Sequence, residues 1–163
     1  IAVESKIEPT VIIGGEVSAL NGNAYNGEGR FVIAEADESD GSFLKLNPYL
    51  ALVTNIEDDH LDYYGTEENI YKAFKQFLGN LVDGGKAILC VDNAKVKALA
   101  QETDKEVITY GLADADYVAK DICYGVDGTS YKLYYKDEDN TYMGFYEAYN
   151  DVLAVNELFF EIE

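Results

Sequence analysis

The stretch FVIAEADESDGSFLKLNPYLALVTNIEDDH, residues 31–60, decides the fold. Two apolar runs, FVIAEAD (31–37) and LALVTNI (50–56), each stop at a cluster of acids. Continuous aliphatic residues without polar alternation are the mark of strands buried on both faces, as in a parallel sheet. The pattern predicts two parallel neighbours whose polar ends share one edge. Upstream, TVIIGG (10–15) repeats the signature, and its two glycines read as a tight turn after the strand. Residues 20–30, rich in Asn and Gly, read as loop.

Working outward towards the C-terminus, Ile70, Ala73, Phe74, Phe77, Leu78 and Leu81 recur at helical spacing. Thr66 stands before them as an N-cap, with Glu67 and Glu68 forming an acidic first turn. KAILCV (86–91) and EVITYG (106–111) read as further strands, with AKVKALAQ (94–101) as the helix between them. Strand and helix therefore alternate over 1–115, which predicts an α/β domain with a mostly parallel sheet flanked by helices. The period then changes. DYVAKDICYG, TSYKLYYK and NTYMGFYEA alternate polar and apolar residues and are separated by GVDG and KDEDN, so 116–148 reads as an antiparallel β-meander. DVLAVNELFFEIE is compatible with a helix over 150–162.

Composition narrows the function. A chain of 163 residues is about one domain. Thirty-one acidic residues against twelve basic ones give a net charge of −19, and Arg30 is the sole arginine. That balance excludes the electrostatic footprint of a nucleic-acid or anionic-membrane binder. Eight of the fourteen tyrosines lie beyond residue 116, with Lys120, Lys132 and Lys136 as the few basic residues among them; they read as one half-buried sheet face. No apolar run approaches the ~20 residues needed to span a bilayer, and IAVESKIEPT does not open like a secretory signal, so the expected location is the cytoplasm. Cys90 and Cys123 lie in strand-like runs outside any CxxC spacing and read as buried free thiols. The opening without methionine reads as an excised piece of a longer chain.

Two constellations carry chemistry. Glu35, Asp37, Glu38 and Asp40 place four carboxylates in six residues at a strand end, where ligands of open α/β sheets bind. Magnesium suits such a place, because it takes one or two carboxylates and keeps water or phosphate oxygens for the rest. The alternative is a solvated acidic turn. Asn55 to Asp62 forms the second constellation and holds His60, the only histidine. Neighbouring acids favour its charged form, or orient one ring nitrogen while the other meets a metal; the alternative is an inert turn histidine. If the two strands are neighbours, Glu35 and His60 reach one site. EF-hand, HExxH, GxSxG and GxxxxGK[ST] patterns are all absent from the chain.

EADESDGSFLKLNPYLALVTNIEDDHLDYY (35–64), with EPTVIIGG before it, resembles the central ATP-binding domain of the Mur ligase family, a P-loop NTPase-like fold. The resemblance covers most of the chain, from about residue 8 to 135. It is closer to the members that join L-alanine to UDP-N-acetylmuramate than to those that recycle a murein tripeptide. It implies that the intact enzyme is a cytoplasmic ligase of peptidoglycan synthesis, in which ATP converts the UDP-N-acetylmuramate carboxylate to an acyl phosphate that the L-alanine amine attacks. Carried over by position, Glu35 and His60 match the family's magnesium ligands and would be catalytic, and Asn55 would line the substrate side. Asp37, Ser39 and Asp59 would stand behind them, and Asn150 would approach the nucleotide. The family's P-loop, its amino-terminal UDP-binding domain and its carboxy-terminal domain have no counterpart in 1–163, so this chain alone is expected to be a central-domain fragment without turnover. Two rivals remain: a magnesium-dependent phosphohydrolase using the acidic loops, and a non-catalytic acidic interaction module.

Overall fold

The apolar runs become strands, but of two sheets. The computed structural model describes residues 2, 5–126, 128–136 and 142–150, the last nine as backbone only. Among these residues the chain divides into two compact units that part between Asp37 and Glu38.

In the first unit, β1 (Thr10–Val17) lies between β2 (Gly22–Tyr25) and β3 (Val32–Ala34). It pairs in parallel with β3, with Thr10 opposite Val32 and Ile12 opposite Ala34, and antiparallel with β2. Two expectations change here. Gly14 and Gly15 continue β1 instead of turning, and the stretch 20–30 contains β2. Nor is this sheet buried on both faces: Val11 is buried, whereas Ile12 and Val32 are 54% and 66% exposed. Among its described residues this unit has no α-helix to cover a face.

The second unit carries the α/β alternation. Its strands are β4 (Leu50–Val53), β5 (Lys86–Cys90), β6 (Glu106–Gly111), β7 (Tyr117–Gly125), β8 (Gly128–Lys136) and β9 (Tyr142–Asn150), ordered in space as in sequence. β4, β5, β6 and β7 run parallel, and β8 and β9 close the sheet antiparallel. The fold class is thus α/β with a mostly parallel sheet and an antiparallel meander in its last third. β3 and β4, expected as neighbours, belong to different sheets. The helix expected over 150–162 falls outside the described residues, apart from Asn150, which ends β9.

Between β4 and β5 the chain forms α1 (Leu61–Tyr64) and α2 (Glu67–Gly79), and between β5 and β6 it forms α3 (Ala94–Glu102). Thr66 caps α2 by accepting the Asn69 N–H at 3.2 Å, and Glu67 and Glu68 complement the positive end of the helix. Its apolar stripe buries Ile70, Ala73, Phe77 and Leu78. Burying side chains of this size stabilises the fold by about 1.5–3 kcal/mol each. Beneath the sheet's other crossover, Val96 and Leu99 of α3 are wholly buried.

Phe43 ties the acidic region to this core. It sits in a single helical turn, Ser42–Lys45, is 2% exposed, and stacks at 5.3 Å on Phe74 and 5.1 Å on Phe77. Asn80 at the end of α2 adds a 2.8 Å hydrogen bond to the Leu44 carbonyl.

The parallel and antiparallel parts meet at β6 and β7, whose ladder pairs only Tyr110 with Tyr117 and Gly111 with Val118. A reciprocal clasp reinforces it. The Asp116 carboxylate accepts both the N–H and the hydroxyl of Thr109 at 2.7 Å, and the Asp116 N–H donates back to the Thr109 hydroxyl at 2.9 Å. Cys90 and Cys123 are free thiols as expected, but neither is buried: Cys90 is half-buried, and Cys123 is exposed next to an irregularity in the β7–β8 ladder between Lys120 and Cys123.

Phe43→Ala should cost about 3–5 kcal/mol, because it removes a fully packed ring and leaves a cavity against α2. Urea unfolding measures this directly; a loss below about 1 kcal/mol would show that the ring does not anchor the turn.

Candidate functional site

Each acidic strand end is built by its own unit. In the first, the β1–β3 pairing runs one step past Ala34, since the Glu35 N–H donates to the Ile12 carbonyl at 2.8 Å. This fixes the Glu35 backbone, and the side chain turns back onto β1, where the Gly14 N–H donates to Oε2 at 2.7 Å. A Cβ at Gly14 would lie 3.3 Å from that same oxygen. Glycine here makes room for a carboxylate resting on the strand, a role hidden behind the turn reading. Glu35 and Asp37 are both exposed.

In the second unit the rest of the first cluster meets the second. Residues 38–41 form a turn in which the Glu38 carbonyl accepts the Gly41 N–H at 3.1 Å. Tyr64 of α1 donates its hydroxyl to the same carbonyl at 2.5 Å. Gly41, at φ 71°, takes a left-handed conformation, and a Cβ on it would stand 2.7 Å from the Tyr63 hydroxyl. Asp40 accepts the Ser42 N–H at 2.8 Å, and hydrogen bonds from the Ser42 side chain and backbone hold its carboxyl below the usual range. That carboxylate serves the turn.

The second cluster divides in the same way. Glu57 accepts from the Asn93 amide at 3.2 Å, while the Asn93 oxygen caps α3 through the Lys95 and Val96 N–H groups, both at 3.1 Å. Lys95 pairs with Asp58, and lies 3.9 Å from Glu67. Glu57 and Asp58 are therefore anchors. Asp59 is exposed and makes no hydrogen bond or ion pair among the described residues. Asn55 is exposed, its amide 3.2 Å from the Thr54 hydroxyl.

His60 is the pivot of this loop. Its backbone is left-handed at φ 56°, and its carbonyl accepts the Tyr63 and Tyr64 N–H groups, both at 3.0 Å, starting α1. A side chain in that conformation costs about 1–2 kcal/mol that glycine would not. The imidazole makes no capping bond; its Nε2 lies 3.5 Å from Oε1 of Glu38. So the two acidic stretches do meet, through Glu38 and His60, a pair the sequence reading did not single out. Glu35 and Asp37 belong to the first unit, and Ser39, Asn55, Asp59, His60 and Asn150 to the second.

The donor chemistry suits magnesium in one respect and not in another. Among the described residues no three His, Cys, Asp or Glu side chains converge as a ligand group, so no closed protein cage exists. Single carboxylates such as Glu35, with one oxygen held by a backbone N–H and the other not, match a cation that fills its shell with water and phosphate. A depression of about 300 Å³ lies elsewhere, lined by Lys97, Gln101, Thr109 and Asp114, and includes none of the expected site residues.

Comparison with known proteins shows the family. Residues 16–156 match the Mur ligase middle domain, and the chain belongs to the Mur ligase family. It is 54% identical over 119 residues to the UDP-N-acetylmuramate–L-alanine ligase of Desulforamulus reducens, covering 72% of this chain and 26% of that protein. With the same ligase of Syntrophus aciditrophicus it shares 41% over 155 residues, which is 91% of this chain and 32% of that one. The solved UDP-N-acetylmuramate-alanine ligase of Thermotoga maritima superposes with a TM-score of 0.69 at 24% identity, covering 82% of this chain and 29% of that one. The chain thus spans about a third or less of the length of these relatives. No helix among the described residues is long and apolar enough to cross a membrane.

Because His60 occupies a left-handed position, His60→Gly should be about 1 kcal/mol more stable than His60→Ala, read as the difference in urea midpoints. Equal stabilities would mean that the backbone there carries no strain.

Proposed function

We propose that the chain is the middle domain of a cytoplasmic ATP-dependent ligase that joins L-alanine to UDP-N-acetylmuramate in peptidoglycan synthesis. The observation that carries this reading is the 54% identity to an L-alanine ligase within a Mur ligase middle domain, on a chain whose acidic strand ends are built around Glu35 and His60. The relatives above, at 41–54% identity, all act on L-alanine, which favours that substrate over a murein tripeptide.

In this reading a carboxylate oxygen of UDP-N-acetylmuramate attacks the γ-phosphorus of ATP, ADP leaves, and an acyl phosphate forms. The L-alanine amine then attacks the acyl carbon, loses a proton, and expels phosphate. Such chemistry needs positioning and charge neutralisation more than covalent help from the protein. A magnesium ion would supply the neutralising charge, and Glu35 and His60, by their match to the family's ligand positions, are each proposed as a protein ligand. Gly14 would hold one Glu35 oxygen so that the other faces the ion. Asn55 would line the substrate side, Asp37, Ser39 and Asp59 would shape the field behind the ligands, and Asn150 would approach the nucleotide. The UDP-binding and carboxy-terminal domains would come from the rest of a longer protein.

The test is phosphate release by the full-length protein with ATP, magnesium, UDP-N-acetylmuramate and L-alanine. Glu35→Gln and His60→Ala should each lower kcat/KM by about 10²–10³-fold, the cost of losing one electrostatic contact to the transferring group. Residues 1–163 alone should give no turnover. A preference for a murein tripeptide over L-alanine, or turnover by the isolated chain, would overturn the corresponding part of the reading.

A further inference from the structure

We propose that Glu38 is the positioning residue for His60: its carboxylate engages Nε2 and leaves Nδ1 as the ring nitrogen that faces a bound cation. The inference rests on the reading of His60 as a metal ligand.

Three observations carry it. Nε2 of His60 lies 3.5 Å from Oε1 of Glu38, an ion-pair distance that places the carboxylate at that edge of the ring. The Glu38 backbone is held independently of its side chain, because its carbonyl accepts the Tyr64 hydroxyl and the Gly41 N–H. The strained left-handed backbone of His60 fixes where the imidazole starts from, while α1 takes no cap from its side chain. A carboxylate on a pinned turn, beside a histidine on a pinned turn, is the arrangement that sets which ring nitrogen can ligate. No other acid lies within ion-pair reach of the His60 ring among the described residues. Glu57 and Asp58 are tied to Asn93 and Lys95, and Asp40 is tied to Ser42.

The experiment is a manganese titration of the full-length protein, reading free Mn2+ by its electron paramagnetic resonance signal, on a double-mutant cycle. His60→Ala should weaken binding at least tenfold, and Glu38→Ala should weaken it 10–100-fold, the usual effect of removing a partner that orients a ligand. In the His60→Ala background, Glu38→Ala should add less than twofold, because its effect passes through the ring. Glu38→Gln, whose amide oxygen still accepts from Nε2–H, should stay within about threefold of the wild type. Thermal unfolding of each variant reports any change in the fold, and the Gln variant decides the matter alone if the Ala variant unfolds. Binding unaffected by His60→Ala overturns the metal-ligand reading, and this proposal with it. Binding lost on His60→Ala but multiplied further by Glu38→Ala, or lost equally in Glu38→Gln, overturns the positioning role and makes Glu38 a ligand in its own right.

Discussion

Repulsion between like charges is the constraint around which both strand ends are arranged. Two carboxylates about 4 Å apart at a partly solvated surface repel by roughly 4 kcal/mol at an effective dielectric of about 20. This chain sets thirty-one acids against twelve bases, so cations are scarce where the acids crowd. The fold answers mostly with neutral donors. A backbone N–H takes Glu35, another takes Asp40, and an amide side chain takes Glu57. Lys95 is the cation spent on the His60 loop, against Asp58 and Glu67. Once those acids are occupied, Asp59 stands apart, and among the described residues the ion-pair partner of His60 is Glu38.

The α/β alternation was legible because hydrophobic period is a property of the chain itself. Thr66, Ile70, Ala73, Phe77 and Leu78 behave as their spacing demands, and the change to alternation beyond residue 116 is a change of sheet type. Sheet partnership was not legible. The runs at 31–37 and 50–56 carry the same signature, yet they join different sheets, because an apolar run records the tendency to form a strand and not the identity of the neighbouring strand. Glycine misled for a related reason: Gly14 looks like turn punctuation, and only the Glu35 oxygen lying over it shows how closely a carboxylate approaches the strand there.

The site was half legible. Dense acids at strand ends and a lone histidine marked the two stretches that meet through Glu38 and His60, since composition shows where charge accumulates. It does not show which acids are already engaged. Separating Glu57, Asp58 and Asp40 from Asp59 and Glu38 needed partners 36 or 37 residues away in α3, or a turn too short to leave a periodic trace. The two tyrosines after His60 had a readable signal. An aromatic pair directly behind an acidic turn is poorly explained as solvated surface, and here one ring packs on Gly41 while the other holds the Glu38 carbonyl.

The Thr109–Asp116 clasp bears on how the second unit comes apart. Its parallel half and its meander share a ladder of two residue pairs, so the sheet is continuous in hydrogen bonding but thin at that seam. Three reciprocal bonds between two side chains and two backbone amides make up the difference over a seven-residue reach. The Lys136 N–H, at the far end of β8, donates to the Asp116 carbonyl at 2.8 Å, so the same residue also gathers the returning hairpin. Asp116 thereby ties the parallel strands and the returning hairpin at one residue, the kind of link through which neighbouring segments open together rather than one by one.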